Sequence, residues 1–239
     1  MTLPASEPAP GPAPVPTLPP ALPPVLVVSG TGTEVGKTVV TAAVAALAAS
    51  GGRRVAVVKP AQTGEPPGPT GDLEVIRRLS GVTQTHELAR FPDPLSPEAA
   101  ARAAGKPPLD LAAASVFIKQ LGADADADLA VMLDAPVLVV TTPGLGTLNH
   151  TALTLEALST RRLAAAGVVI GAWPVKPGLA ERANLTDLAV IAGQPLAGAL
   201  PAGAARLGRA DFLATARAGL GPGLGGTFAP SASKLIDPH

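Results

Sequence analysis

Five short apolar runs, at 25–29, 55–59, 137–141, 168–172 and 196–200, constrain this chain more than any other feature. Most are rich in β-branched residues, each is followed within a few positions by Gly or Pro, and each reads as a buried strand. Helical patterns lie between and after them, at 37–50, 72–80, 97–104, 147–165 and 179–192. Strand and helix in alternation imply βαβ units, hence an α/β fold built on a mostly parallel sheet. With aromatic residues at 2% of the chain, Val, Leu, Ile and Ala must fill its core, as they do in sheets covered by helices. Ligands of such sheets bind beyond the carboxyl ends of the strands. The loops that matter therefore begin at Ser29, Lys59, Thr141, Ala172 and Leu200.

Outside this pattern the chain changes character. Residues 1–24 are almost entirely Pro, Ala and other small residues, with Glu7 the single charge, and are expected to form a disordered tail. A single folded domain is expected over 25–220, with a flexible C-terminal tail at 221–239. The start lacks the basic and apolar regions of a secretory signal, and no apolar run reaches membrane-spanning length. A cytoplasmic protein without a membrane partner is the expectation. A formal net charge of zero argues against nucleic acid as a partner. The chain has no cysteine, which removes thiolate chemistry and sulfur-bound metals, and His86, His150 and His239 are too scattered for a zinc site.

The first strand runs directly into "SGTGTEVGKTVV", residues 29–40. A phosphate-binding loop has the form G-x-x-x-x-G-K-[ST] between a strand and a helix. Both flanks are present, but the position expected for the first glycine holds Thr31, with Gly30 and Gly32 on either side. Glycines that let backbone N–H groups turn inward, followed by a helix N-terminus, suit a triphosphate. Lys37 would reach the β- and γ-phosphates, and Thr38 would offer its hydroxyl to Mg²⁺; an ordinary glycine-rich turn is the plainer alternative.

Three further loops add polar groups at strand ends. In "VVKPAQTG", Lys59 could stabilise charge developing on a transferring group, with Thr63 as a helper. Asp72 opens the helix of "GDLEVIRRLS" and could hold Mg²⁺ against phosphate oxygens, or cap the helix. In "TTPGLGTLNHTALT" a second helix N-terminus, with Gly146, Thr147 and Asn149, suits a carboxylate or phosphate. His150 there is expected to be packed or solvated.

In this order, "GTGTEVGKT", "KPAQTG", the Gly-Asp helix start and "PVLVVTTPGLGTLNHTALT" resemble the ATP-dependent dethiobiotin synthetase family, over about 25–207. The resemblance implies a three-layer P-loop nucleoside triphosphatase-type sheet and a cyclo-ligase of biotin synthesis. In that reaction carbon dioxide is captured as a carbamate on an amine of diaminopelargonic acid. ATP phosphorylates the carbamate, and the second amine closes the ureido ring of dethiobiotin with release of phosphate. Carried over by position, Glu34, Val35, Gly36, Lys37, Thr38 and Val39 would wrap the triphosphate, and Lys37 and Lys59 would be catalytic. Thr38 and Asp72 would bind Mg²⁺, and Asp72 would also meet the nucleotide. Thr63, Gly146, Thr147 and Asn149 would meet the substrate, the last three across a homodimer interface. Pro201, Ala202 and Gly203 would touch the adenine, whereas Trp173 and Pro174 stand where many members have asparagine. A nucleotide-binding pseudoenzyme of the family, or a related P-loop ATPase, is the alternative.

One expected part is absent. The resemblance implies a further strand ending in Glu-Gly-Ala-Gly-Gly, whose glutamate binds Mg²⁺, between Leu109 and Val137. The chain instead reads "PPLDLAAASVFIKQLGADADADLAVMLDAPVLVV". Residues 115–121 could form a short strand or a helical turn. Asp124, Asp126 and Asp128 form an alternating acidic run of the kind that usually caps a helix or fills a solvated loop. Loss of a strand would expose two sheet edges or force a re-pairing.

Overall fold

The structure, a computed structural model, describes residues 22–68, 70–122 and 134–229. Strand and helix alternate from β1 (Val27–Gly30), α1 (Lys37–Ser50), β2 (Val57–Thr63), α2 (Asp72–Ser80) and β3 (Thr85–Phe91) to two consecutive helices, α3 (Pro97–Ala103) and α4 (Leu111–Gly122). The chain then continues through β4 (Val137–Thr141), α5 (Thr147–Thr160), β5 (Ala165–Trp173), α6 (Leu179–Ala192), β6 (Gly198–Pro201) and α7 (Arg209–Gly219).

Every ladder between these strands is parallel, as the alternation requires. The strands nevertheless form two sheets rather than one. The order is β1-β4-β5-β6 in the larger sheet, and β2 pairs with β3 in a second. Strand β4 is buried along its whole length, as its Val-Leu-Val-Val sequence demands between two neighbours and two helical layers. On one side Val40, Val44 and Leu47 of α1 pack with Leu73, Ile76 and Leu79 of α2 and Phe212 of α7. On the other, Leu185 and Leu188 of α6 and Leu155 of α5 cover Val139, Val168 and Ile170. These are the three expected layers.

Several elements depart from their sequence-based bounds. β3 and α7 have no counterpart among the runs above, and 115–121 are helical within α4. α5 ends at Thr160 rather than 165, because Arg162 turns with φ 57° and Ala165 already begins β5. The packed body reaches past 220: Leu224 and Phe228 are buried, and Phe228 N–H donates to the Leu220 carbonyl at 2.9 Å. At the other end Leu22 packs on the core, and Arg53 Nη1 donates to its carbonyl at 2.7 Å. Asp124, Asp126 and Asp128 lie outside the described residues.

Candidate functional site

The loop between β1 and α1 is fixed by backbone contact with the larger sheet. Gly36 has φ 97°, a left-handed conformation costly for any side chain. A Cβ added to it would also lie 2.8 Å from the carbonyl oxygen of Gly171 in β5. The reverse holds too: a side chain on Gly171 would collide with the Val35 carbonyl. Val35 itself is buried and so anchors the loop on the sheet. Glu34 is exposed with φ 57°, and the loop ends at the N-terminus of α1, where unbonded N–H groups point outward.

Around this loop gather four side chains. Lys37 Nζ donates to the Gly32 carbonyl at 2.6 Å, strapping the loop across its mouth. Thr38 Oγ1 donates to Asp72 Oδ1 at 2.6 Å, and Lys59 Nζ pairs with Asp72 Oδ2. Asp72 is placed in turn by Gln62: its backbone N–H donates to Gln62 Oε1 at 3.2 Å, while Gln62 Nε2 donates to the Thr63 carbonyl at 3.0 Å. Gln62 is buried, so these bonds hold it rigidly under the start of α2. Burial lowers the pKa of Lys37, and the neighbouring Lys59 cation lowers it further. Burial pushes the Asp72 pKa up, but hydrogen bonds from Lys59 and Thr38 outweigh it and hold the carboxyl below the usual value.

This set fits both groups that the sequence suggests. A half-buried pair of lysines, one with its charge disfavoured, is stabilised by an anion such as a triphosphate. A hydroxyl and a carboxylate oxygen in contact are the hard oxygen donors that Mg²⁺ takes alongside phosphate oxygens and water. Among the described residues no cluster of three or more His, Cys, Asp or Glu could hold a metal alone.

The start of α5 is built differently from its sequence-based expectation of two free side-chain donors. Thr147 is buried, and its Oγ1 donates to the Thr142 carbonyl at 2.5 Å. A hydroxyl has one proton, so Thr141 Oγ1 donates to Thr147 Oγ1 at 2.7 Å and accepts from Thr151 and Thr31 at 3.1 and 3.2 Å. Thr31, opposite the helix start, thereby ties the phosphate-type loop to α5. Asn149 and His150 are exposed, as is Leu145, which is 91% accessible between Gly144 and Gly146.

Pro201, Ala202 and Gly203 form an exposed turn at the end of β6, where Ala202 N–H donates to the Trp173 carbonyl at 2.7 Å. The Trp173 side chain is buried among Ile170, Leu185 and Leu196 and so belongs to the core. Sequence reasoning missed Arg78, whose guanidinium donates to the Ala205 carbonyl at 2.5 Å and the Leu207 carbonyl at 3.2 Å, pinning the segment after this turn to α2. It also missed Gln62, which the motif "KPAQTG" contains, and Gly171, which no local motif marks.

A family model described as an AAA domain matches residues 25–205. The chain is 55% identical over 224 residues to the ATP-dependent dethiobiotin synthetase of Parafrankia sp. (strain EAN1pec), a match covering 85% of this chain and 94% of that protein. The corresponding protein of Frankia casuarinae is 55% identical with the same coverage, and that of Streptomyces avermitilis 52%. The aligned length exceeds 85% of this chain's 239 residues, so the relatives carry stretches that have no counterpart here. A loop of this geometry, seated on a parallel sheet and matched over most of its length by proteins of one name, places the chain in the ATP-dependent dethiobiotin synthetase family.

Proposed function

We propose that the protein carries out the ATP-dependent carboxylation and ring closure of diaminopelargonic acid to dethiobiotin. The observation that carries this reading is the convergence of Lys37, Thr38, Lys59 and Asp72 from three segments onto one loop of triphosphate geometry. Glu34 to Val39 supply backbone N–H groups and the α1 N-terminus to phosphate oxygens, with Lys37 leaving Gly32 to meet them. Thr38 and Asp72 hold Mg²⁺, which neutralises phosphate charge when bound. Lys59 then turns from Asp72 toward the carbamate and phosphoryl oxygens, whose growing charge it stabilises. Thr63, at the end of the same strand, contacts the substrate amine region. Pro201, Ala202 and Gly203 border the adenine.

The substrate's carboxylate is received at the α5 N-terminus, by the amide end around Gly146 and Thr147 and by the Asn149 side chain. Since the Thr147 hydroxyl is committed to Thr142, its contribution is through the backbone. A homodimer in the cytoplasm completes the reading. It is supported by exposed apolar residues flanking that helix start: Leu145, Leu153, Val175 and Leu179. Among the described residues no helix is long and apolar enough to cross a membrane.

Purified protein supplied with Mg-ATP, bicarbonate and diaminopelargonic acid should form dethiobiotin and ADP, read by mass spectrometry. Product no greater than that of a Lys37→Ala control would count against turnover. The divided sheet favours a second reading, a nucleotide-binding protein without turnover. ATP affinity without product would then be the outcome.

A further inference from the structure

Asp72 reaches the site from the end of an open loop, and apolar packing does not explain how it is aimed. None of residues 64–68 is buried, and Thr70 is exposed. The loop is held at its start by Gly64 N–H, which donates to the Asp93 carbonyl at 3.0 Å. Beyond that it is held by two side chains of the smaller sheet. Arg90 of β3 donates from Nη1 to the Pro66 carbonyl and from Nη2 to the Thr70 carbonyl, both at 2.9 Å. Gln62 of β2 accepts from Asp72 N–H at 3.2 Å. The two residues stand opposite each other in the β2–β3 register.

Their contacts fall on successive peptides. Arg90 fixes the peptide between Thr70 and Gly71 by its carbonyl, and Gln62 fixes the next one by its N–H. Each peptide is planar, so the soft torsions left between these two anchors are those of Gly71. Its φ of 108° is one that glycine adopts freely and other residues rarely. A Cβ on Gly71 would also lie 2.9 Å from Gln62 Oε1, so no side chain fits there. The direction in which Asp72 leaves the helix start is therefore set from β2 and β3 together. Its Oδ1 meets Thr38 and its Oδ2 meets Lys59 as a result.

Arg90 can act as a clamp because it is itself oriented. Glu87 of the same strand accepts from Arg90 Nε at 2.6 Å on one carboxylate oxygen and from Nη2 at 2.8 Å on the other. This fork fixes the guanidinium plane and leaves further N–H groups for the two loop carbonyls. A lysine has one nitrogen and no plane, so it cannot hold the carboxylate and the loop in this geometry. We propose that Arg90 is a positioning residue for Mg-ATP, acting through the Thr70–Gly71 peptide to aim the Asp72 carboxylate. The proposal rests on the reading of Asp72 as a ligand of Mg²⁺ and nucleotide, whereas the clamp on Asp72 is independent of it. It gives β3, which no motif marks, a part in the site.

Arg90→Lys in the full chain tests both parts. Without nucleotide, hydrogen exchange at the Asp72 amide should speed up about tenfold or more. Val57 and Gly81, bonded to the Gln84 and Arg77 carbonyls at the far ends of β2 and α2, should keep their rates. With ATP, half-maximal binding should need about tenfold more Mg²⁺, while ATP affinity in EDTA stays within about twofold. In an Asp72→Asn background the effect of Arg90→Lys on Mg²⁺ should vanish, because the carboxylate carries it. Glu87→Gln keeps the guanidinium but weakens its fork, and should move both readouts the same way by less. That variant decides the matter if circular dichroism shows Arg90→Lys unfolded. An Asp72 amide exchanging at the parent rate in both variants would overturn the proposal. So would equal acceleration at Val57 and Gly81, which is loss of the smaller sheet, or a Mg²⁺ effect undiminished by Asp72→Asn. A parent protein that binds no Mg-ATP would be a failure of the functional reading, and exchange at Asp72 would still uphold or overturn the clamp.

Discussion

Gly36 and Gly171 meet backbone to backbone, with room for a side chain on neither. The phosphate-type loop is therefore positioned by β5, far along the chain, as much as by its own sequence. Gly171→Val should displace the loop against the Val35 carbonyl. The expected result is a loss of about 1–3 kcal/mol in stability, as for other overpacked sites, with ATP affinity reduced about tenfold or more. Thermal denaturation and calorimetric titration report the two effects separately.

Lys37 should be a liability to the empty protein. Its pKa is lowered in the folded state, first by burial and then by Lys59. At neutral pH the ammonium therefore penalises folding, and the penalty fades as pH rises through its folded pKa toward 10.5. Lys37→Met should raise the Tm of the nucleotide-free protein at neutral pH, with a smaller gain in alkali. The same variant should lose ATP binding about 100-fold or more. Melting curves over a pH series, with and without nucleotide, give the comparison.

Asp72 works in the opposite direction. Burial raises its pKa, but the hydrogen bonds from Lys59 and Thr38 leave it below 3.8 on balance. Its contribution to stability is thus present above 3.8 and lost as pH falls through the lower folded value. Asp72→Asn should be less stable than the parent at neutral pH, and the two should converge in acid. In the presence of ATP the variant should also require about tenfold more Mg²⁺ for half-maximal binding. Acid titration followed by circular dichroism, and a Mg²⁺ titration, test the two parts.

Arg78 touches no proposed ligand group, yet it ties the segment after the adenine turn to α2. Removing that tie leaves the turn to be ordered on binding, a cost of about 0.5–1.5 kcal/mol. Arg78→Ala should therefore weaken ATP by about 2–10-fold and reduce discrimination against GTP, with little change in Tm. Competition between the two nucleotides measures it.

The residues that carried most of this site were visible in the chain because they are local. Strand, glycine loop, Lys37 and helix are contiguous, and α1, α2 and α6 have the bounds that their patterns give. β3 was not legible because it lies at a sheet edge. Thr85, Glu87 and Arg90 face partly outward, Glu87 and Arg90 form an ion pair, and no apolar run marks the strand. In α4 the order Val116, Phe117, Ile118 leaves a short strand and a helical turn both open, and the structure makes it helix, with Ile118 packed against Ala135. Gly171 and Arg78 act across long sequence separations. Their roles exist only once the sheet has assembled.

The division of the strands into two sheets has a consequence for how the molecule comes apart. A continuous sheet melts as one unit because each ladder supports the next. Among the described residues β2 and β3 form ladders only with each other, and they reach the larger sheet through the helices α1 and α2. Lys59 and Gln62 ride on the smaller unit, while Lys37 rides on α1. Loosening of that unit would pull Lys59 away from Asp72 and Thr38 before the main core is disturbed. The protein would surrender its chemistry at lower denaturant than its fold.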